Sequence, residues 1–432
     1  MAREMKDSGI EWIGEMPSSW NTNTVFQLFT QVKNKNSDLQ EQNLLSLSYG
    51  KIKRRSIDTT DGLLPESFDG YNIIEANDIV LRLTDLQNDH KSLRVGLATE
   101  RGIVTSAYLT IRNRSESLAK YLYYYLHSFD IAKGFYGMGA GVRQGLNWDG
   151  MKWLKVLTPS VPEQRSIVAF LDSECVRIDT IIEKTRASIE EYKKLKQAII
   201  TQAVTKGIRP DRPMKDSGIE WIGEIPDGWI TPKVLQCLQM PITDGPHATP
   251  KLYDEGIPFI SAEAVSAGNG RISFEHMRGY ISQEFYEECC KKYIPQVDDV
   301  YMIKSGATTG RVSIVDTDKI FTIWSPLAVF RANKKRLLPM FLFYCLQADY
   351  VQKQIENRWT YGTQQNIGMR TLEKIKLFVP PINEQEDIVS YLEENIFNVN
   401  RLIEKKETLL SELESYKKSI IFEYSTGKRE VK

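Results

Sequence analysis

Five cysteines and four histidines are the side chains from which a metal site or a nucleophile would first be built. Cys175, Cys237, Cys289, Cys290 and Cys345 are odd in number and form no CxxC, so neither a disulfide framework nor a zinc knuckle is indicated. His90, His127, His247 and His276 are scattered without ligand spacing. His247 lies near Asp244 and Thr249 in a proline-bounded loop, which suits a turn or a contact better than catalysis. Two glycine-rich stretches invite a phosphate reading and fail it. Gly137-Met138-Gly139-Ala140-Gly141 lacks the strand before and the helix after that a dinucleotide loop needs, and Gly306 to Arg311 holds no Gly-Lys-Ser/Thr. No Asp/Asn-Pro-Pro-Tyr motif of a methyltransferase occurs, and no nuclease carboxylate–lysine cluster stands out. The chain reads as non-catalytic, with no metal site.

What remains is a set of loops that combine basic, amide and hydroxyl side chains with glycine. Such groups hydrogen-bond phosphates and base edges. The first half of the chain offers Lys51, Lys53, Arg54 and Arg55, then Arg82, Thr84, Asp85, Gln87 and Asn88, then Arg143 and Gln144. The second half offers His247, Thr249 and Lys251, then Lys304, Ser305, Thr308, Thr309 and Arg311, then Tyr361, Thr363, Gln364, Gln365 and Asn366. A polar glycine loop taken alone is more often a solvated turn. Taken together, Gly141-Val142-Arg143-Gln144 and Gly362-Thr363-Gln364-Gln365 fall in equivalent places ahead of a helix and point to DNA contact.

Equivalence is meaningful because the chain repeats itself. Residues 5–17 read MKDSGIEWIGEMP and residues 214–226 read MKDSGIEWIGEIP. Residues 159–207 and 380–428 form a second related pair, sharing Glu163-Gln164 with Glu384-Gln385 and Ile182-Glu183-Lys184 with Ile403-Glu404-Lys405. The order is short motif, variable region, helix, then all three again. This period is far longer than a solenoid unit of about 20–50 residues, so a domain-sized unit is duplicated. The variable regions, about 21–158 and 230–379, show no comparable identity. Short β-rich runs (78–83; 311–315) and a late aromatic helix (118–126; 340–346) are expected in them, the aromatic stripes as core.

The elements that must position the loops are the two repeated helices. Their apolar spacing of 3 and 4 runs through Leu171, Ile178, Ile182, Ile189, Tyr192 and Ile199 in one, and Leu392, Ile396, Val399, Ile403, Leu410, Leu413 and Ile420 in the other. This is a coiled-coil seam, expected to be antiparallel because a domain separates the helices. Two amphipathic helices, each packed on its own domain, are the alternative. Lys196 and Lys417 interrupt the seam at the same place in both copies, and Thr185 and Lys406 occupy a matched core position where packing is expected to be loose. Gly207 and Gly427 stand where helices stop, and residues 208–213, with two prolines, read as an extended linker. A 36-residue helix would span about 54 Å.

Composition bounds the rest. At 432 residues, two or three domains are expected. No apolar run reaches membrane-spanning length and the N-terminus lacks a signal-peptide stretch, so a cytoplasmic location is expected. Lys plus Arg and Asp plus Glu each number 56. Zero net charge argues against a basic nucleic-acid binder unless the charges are segregated.

Gly-Ile-Glu-Trp-Ile-Gly-x-x-Pro-x-x-Trp before each variable region, and Pro-x-x-Glu-Gln-x-x-Ile-Val-x-x-Leu entering each long helix, resemble the type I restriction-modification specificity subunits. Thr243 to Pro250 followed by Gly256 to Ser261 is similar to one class of target recognition domain. Leu45 to Gly50, Gly62 to Ser67 and Arg82 to Asp89 resemble another. The resemblance covers essentially the whole chain. It implies an α+β chain with an internal pseudo-twofold repeat: two mixed α/β target recognition domains separated by two long helices that form an antiparallel coiled coil. The expected layout is 1–158 for the first conserved segment and domain, 159–208 for the central helix, 209–213 for the linker, 214–379 for the second segment and domain, and 380–432 for the last helix.

The resemblance further implies double-stranded DNA as ligand, each domain reading one half of a bipartite asymmetric site. The helices would set the spacer and dock two methyltransferase subunits, and through them restriction subunits. S-adenosylmethionine would then sit on the methyltransferase partner, ATP and Mg on the restriction partner, and no cofactor on this chain. A nuclease, or a scaffold that ignores DNA sequence, are the alternatives.

Overall fold

The structure, a computed structural model, describes residues 3–57, 67–89, 92–139, 145–357 and 366–431. The chain forms two units, one of Met1–Arg186 with Thr408–Lys432, the other Ala187–Glu407. The division cuts both long helices, Val161–Lys206 and Ile382–Ser425, so each unit holds part of both.

In the first unit, strands Phe29–Gln31, Leu109–Asn113, Ile79–Leu81 and Val95–Leu97 form an antiparallel sheet in that order. Helix Ala119–Ile131 follows, and its Tyr121, Leu122, Tyr124, Tyr125 and Leu126 are buried, as core rather than as a stacking surface. In the second unit Thr243–Asp244, Leu327–Phe330, Val300–Ile303 and Val312–Ile314 give the same order and sense. The helix there is Pro339–Gln347, with Phe341 to Leu346 buried.

The likeness inside the variable regions is hidden in sequence and visible in geometry. N-terminal landmarks of the copies are offset by 209 residues (Met5 to Met214) and C-terminal ones by 221 (Glu163 to Glu384). The backbone bonds obey those offsets. Val25 N–H donates to Leu154 O and Val234 N–H to Ile375 O; Leu146 N–H donates to Leu83 O and Ile367 N–H to Lys304 O. Buried Asp78 takes a bidentate pair of bonds from Arg112 at 2.7 Å each, and buried Asp299 takes the same pair from Arg331 at 2.7 Å each. Paired forks of this kind satisfy both carboxylate oxygens and fix one strand against its neighbour.

The repeated short motif is a hairpin, Met5–Asp7 with Glu15–Pro17 and Met214–Asp216 with Glu224–Pro226. The Asp7 carboxylate accepts Gly9 N–H at 2.9 Å and the Ser8 hydroxyl oxygen accepts Ile10 N–H at 3.1 Å; Asp216 and Ser217 do the same for Gly218 and Ile219. Gly14 and Gly223 both stand at φ 69, a left-handed conformation that any side chain would strain. The near-identity of these residues is thus a demand of one tight turn made twice.

Glu163-Gln164 and Glu384-Gln385 open the long helices, but they do more than suit a first turn. Gln164 accepts the N–H of Leu118, at the start of helix Ala119–Ile131, and donates to Pro159 O; Gln385 accepts that of Leu338 and donates to Pro380 O. Glu163 pairs with Arg3 at 2.5 Å and accepts the Trp20 indole N–H, while Glu384 pairs with Arg212. Arg3 lies over the Trp20 ring and Arg212 over the Trp229 ring. Arg212 belongs to the linker, which therefore is pinned rather than loose.

The helices pair antiparallel within each unit. Asp179 and Arg186 meet Lys417 and Glu414 in the first. Tyr192 and Lys196 meet Lys406 and Asn400 in the second. Of the expected seam, Leu171, Ile178, Ile182, Ile189, Leu392, Ile396, Val399 and Ile420 are buried. Tyr192, Ile199, Ile403, Leu410 and Leu413 are half-buried. One correction concerns the end of the first helix, where Ile200 and Val204 are buried and Ile199 is not. An α-helix drifts about 20° per heptad from a 3.5 repeat, and these residues turn into the core of the second domain. Nor is the matched Thr185 and Lys406 position loose: Thr185 is buried, and the Lys406 ammonium lies 5.8 Å from the Tyr192 ring. Gly207 at φ 74 and Gly427 at φ 76 follow the helix ends, as their places in the sequence indicate. Among the described residues no helix is long and apolar enough to cross a membrane.

Candidate nucleic-acid interface

The candidate loops are hairpin loops on the matched sheets. Strand Ile79–Leu81 leads into 82–89, and strand Val300–Ile303 leads into 304–311. Each meets the segment ahead of the next short helix through the matched bonds at Leu83 and Lys304. The sheet therefore brings together, in both units, stretches far apart in sequence.

In the first unit Lys51, Lys53, Arg54 and Arg55 are exposed, the first three on strand Lys51–Arg54, which pairs with Leu45–Ser48 through a turn at Tyr49 and Gly50. Arg54 is held by Glu100 in a two-pronged pair, and Lys51 reaches Asp179 at 3.5 Å. In the next loop Thr84, Gln87 and Asn88 are exposed, whereas Leu83 and Leu86 are buried and anchor it. Arg82 is half-buried with its guanidinium 3.9 Å from Asp89, and Asp85, at φ 56, accepts the Asn88 amide at 2.8 Å. Arg143 and Gln144 lie outside the described residues, as do Gly62 to Glu66 of the resemblance.

In the second unit Asp244 is a hub. It is buried, and Lys292, Lys304 at 3.2 Å and His247 at 3.4 Å converge on it. Burial works to raise the carboxyl pKa, but the two ammonium groups outweigh it and hold it below its ordinary value. Lys304 is thus largely buried and committed to a carboxylate, while His247 is exposed. Beside the hub, a cavity of about 210 Å³ is lined by Asp244, Pro246, Phe285, Lys292 and Thr322 among others. Thr249 and Lys251 are exposed, the latter against the Tyr253 ring. Ser305, Thr308 and Thr309 are half-buried, and Thr309 donates to Gly306 O at 2.6 Å. Exposed Arg311 donates to Ser266 O at 3.1 Å, and exposed Asn366 bridges Ser305. Tyr361, Thr363, Gln364 and Gln365 lie outside the described residues.

Several organising residues carry no local signal in sequence. Lys292 comes from the turn just after helix Gln283–Cys290, a segment the loop reading does not include. Arg94, in the run Ser92-Leu93-Arg94-Val95, is an isolated arginine that proves to be fully buried.

Comparisons with known proteins agree with this architecture. Residues 246–414 match the family model "Type I restriction modification DNA specificity domain". The chain is 25% identical to the putative type I restriction enzyme MjaX specificity subunit of Methanocaldococcus jannaschii, over 97% of this chain and 96% of that one. It is 23% identical to the MjaVIII specificity subunit of the same organism, over 83% and 81%. A solved structure from work on assembly and conformational transition of the type I R-M system superposes with a TM-score of 0.69 at 16% identity, covering 96% of this chain and 99% of that one, a likeness of fold. Residues 246–414 thus match a type I restriction-modification DNA specificity domain, and along nearly its whole length the chain is similar to specificity subunits of such systems.

Proposed function

We propose that each of the two domains reads one half of a bipartite, asymmetric DNA site, and that the chain itself carries no catalytic step. The observation that carries this reading is one scaffold built twice with unlike loops: the matched sheets present Thr84, Gln87 and Asn88 in one unit and Thr308, Thr309 and Arg311 in the other. Identical frames with different hairpin loops suit two different half-sites. In this proposal the long helices set the spacer and dock two adenine methyltransferase subunits, which bring restriction subunits. S-adenosylmethionine belongs to the former and ATP with Mg to the latter. Zero net charge is tolerable because the partners add phosphate contacts, whose number sets the salt dependence of affinity.

The test is the methylated-adenine pattern in DNA of cells that express this chain with its methyltransferase subunit, read by single-molecule sequencing. A split motif with unequal halves and a fixed gap is expected. A stable complex of the two proteins that methylates no defined motif would overturn the reading in favour of a scaffold.

A further inference from the structure

Arg94 is fully buried, and both of its terminal guanidinium nitrogens bond to carbonyls of one loop, 82–89. Its Nη1 donates to the carbonyls of Arg82 at 3.0 Å and Thr84 at 2.9 Å. Its Nη2 donates to those of Asp85 at 3.3 Å and Asp89 at 2.5 Å. Its Nε donates to the Tyr136 hydroxyl at 3.1 Å, and that hydroxyl donates in turn to Asp89 O at 2.9 Å. The Arg94 main-chain N–H is anchored on the buried Asp130 carboxylate at 2.5 Å.

The geometry has a one-sided consequence. The carbonyls of Arg82, Thr84, Asp85 and Asp89 turn inward to a single planar cation, and the side chains of Thr84, Gln87 and Asn88 are left outside. Asp85 is held at φ 56, a left-handed conformation that costs a non-glycine residue roughly 1 kcal/mol and persists only where the surroundings impose it. The second unit shows what happens without such a post. Arg311 occupies the matched place, since Ile303 N–H donates to Arg311 O as Arg82 N–H does to Arg94 O. Its loop, 304–310, closes through its own backbone, with Gly310 N–H on Ile303 O, and the Arg311 side chain turns out to Ser266.

We propose that Arg94 is a positioning residue for recognition of the first half-site: it presets loop 82–89 in the one conformation in which Thr84, Gln87 and Asn88 meet base edges. The inference rests on the DNA-reading proposal and assigns within it one loop to one half-site. Amide and hydroxyl side chains read bases only when their backbone is fixed, because a bidentate contact tolerates little displacement.

The experiment expresses the full chain with its methyltransferase subunit as wild type, Arg94→Lys, Tyr136→Phe and Thr84→Ala/Asn88→Ala. Two readouts are taken: the methylated-adenine motif, and hydrogen exchange of peptides covering 82–89. The half-site belonging to residues 21–158 is identified by exchanging that region for another such domain. Arg94→Lys is expected to speed exchange of the loop amides at least tenfold. It should also raise methylation of single-base variants in the first half-site at least tenfold, with the second half-site and the gap unchanged. Tyr136→Phe removes the acceptor of Arg94 Nε and one donor to Asp89 O and should give a threefold effect of the same kind, which decides the matter if the Arg94 variant does not fold. The double variant should relax the same half-site without loosening the loop. A loosened loop with an unaltered first half-site, an unloosened loop, or relaxation of both half-sites would overturn the inference. A wild-type chain without a split motif would instead overturn the DNA-reading proposal itself.

Discussion

The repeat places a lysine and its partner at matched positions of the helix pair, but with different chemistry. Lys417 meets Asp179 at 2.6 Å in the first unit, and Lys196 meets Asn400 at 2.9 Å in the second. Burial lowers the Lys196 pKa and no carboxylate opposes it, whereas Asp179, though burial raises it, is pulled down on balance by Lys417 and Lys51. Asn400→Asp supplies the missing charge. At an effective dielectric of about 20, unit charges ~3 Å apart attract by roughly 5 kcal/mol. Desolvation of the new carboxylate and screening at a half-exposed site leave about 1–2 kcal/mol. The expected outcome at pH 7 is an approximately fivefold to thirtyfold slowing of amide exchange in the second-unit helix segments around 192–200 and 396–406, if exchange reports opening free energy. The effect should shrink with salt and vanish as the new carboxylate protonates at acid pH. Lys196→Met, which removes a half-buried charge bonded to a neutral amide, should stabilise the same segments or leave them unchanged, while Lys417→Met should destabilise the first unit by uncovering Asp179. Faster exchange in Asn400→Asp, or a gain indifferent to salt, would show that the matched positions do not act as charge pairs.

Three further outcomes are expected. Gln164→Ala and Gln385→Ala each orphan a part-buried N–H and a buried carbonyl, which at about 1–3 kcal/mol per group should lower stability by about 2–6 kcal/mol, with exchange at Leu118 and Leu338 rising first. His127, pushed down to about 4 by burial with Lys417 adding to it, costs the first unit stability as pH falls below 6.5. Asp130, raised to about 6 by burial, returns stability as pH falls below 6. Denaturation at pH 7 and 5 should therefore find little net change in the wild-type chain. A gain of about 1 kcal/mol is expected in His127→Leu, relative to that variant's own pH 7 value. Insertion of four residues into both long helices, about one turn, should lengthen the gap of the methylated motif and leave its halves intact, and sequencing of the motif checks it.

The frame was legible because its constraints are local. Asp7, Ser8, Gly9 and Gly14 must coexist within one turn, and the seam recurs every three or four residues, so both leave a pattern in a single strip of sequence. The shared fold of the variable regions was not legible, because its marks are pairs. Asp78 and Arg112 are 34 residues apart, Asp299 and Arg331 are 32 apart, and neither residue says anything until the sheet brings its partner. Lys304 shows the opposite failure. Its loop composition reads as a nucleic-acid contact, but a basic residue beside a buried acid forms an ion pair first, and Asp244 arrives from 60 residues upstream.

The distribution of change between the copies follows from the same physics. Glu163 and Gln164 recur as Glu384 and Gln385 because each sits buried or part-buried in a bonded set, where losing one member orphans the others at full desolvation cost, and Trp20 recurs as Trp229 because each is a fully buried ring under an arginine. Exposed loop side chains leave nothing buried behind when replaced, so Thr84, Gln87 and Asn88 can differ from their counterparts without penalty to the fold. Arg94 is the exception that links the two regimes. It is buried like a frame residue, yet its counterpart Arg311 is exposed and turned to Ser266, because what Arg94 satisfies is the backbone of a loop that only the first copy has. A residue with that profile varies with specificity rather than with fold, and it would travel with its loop whenever one recognition domain is exchanged for another.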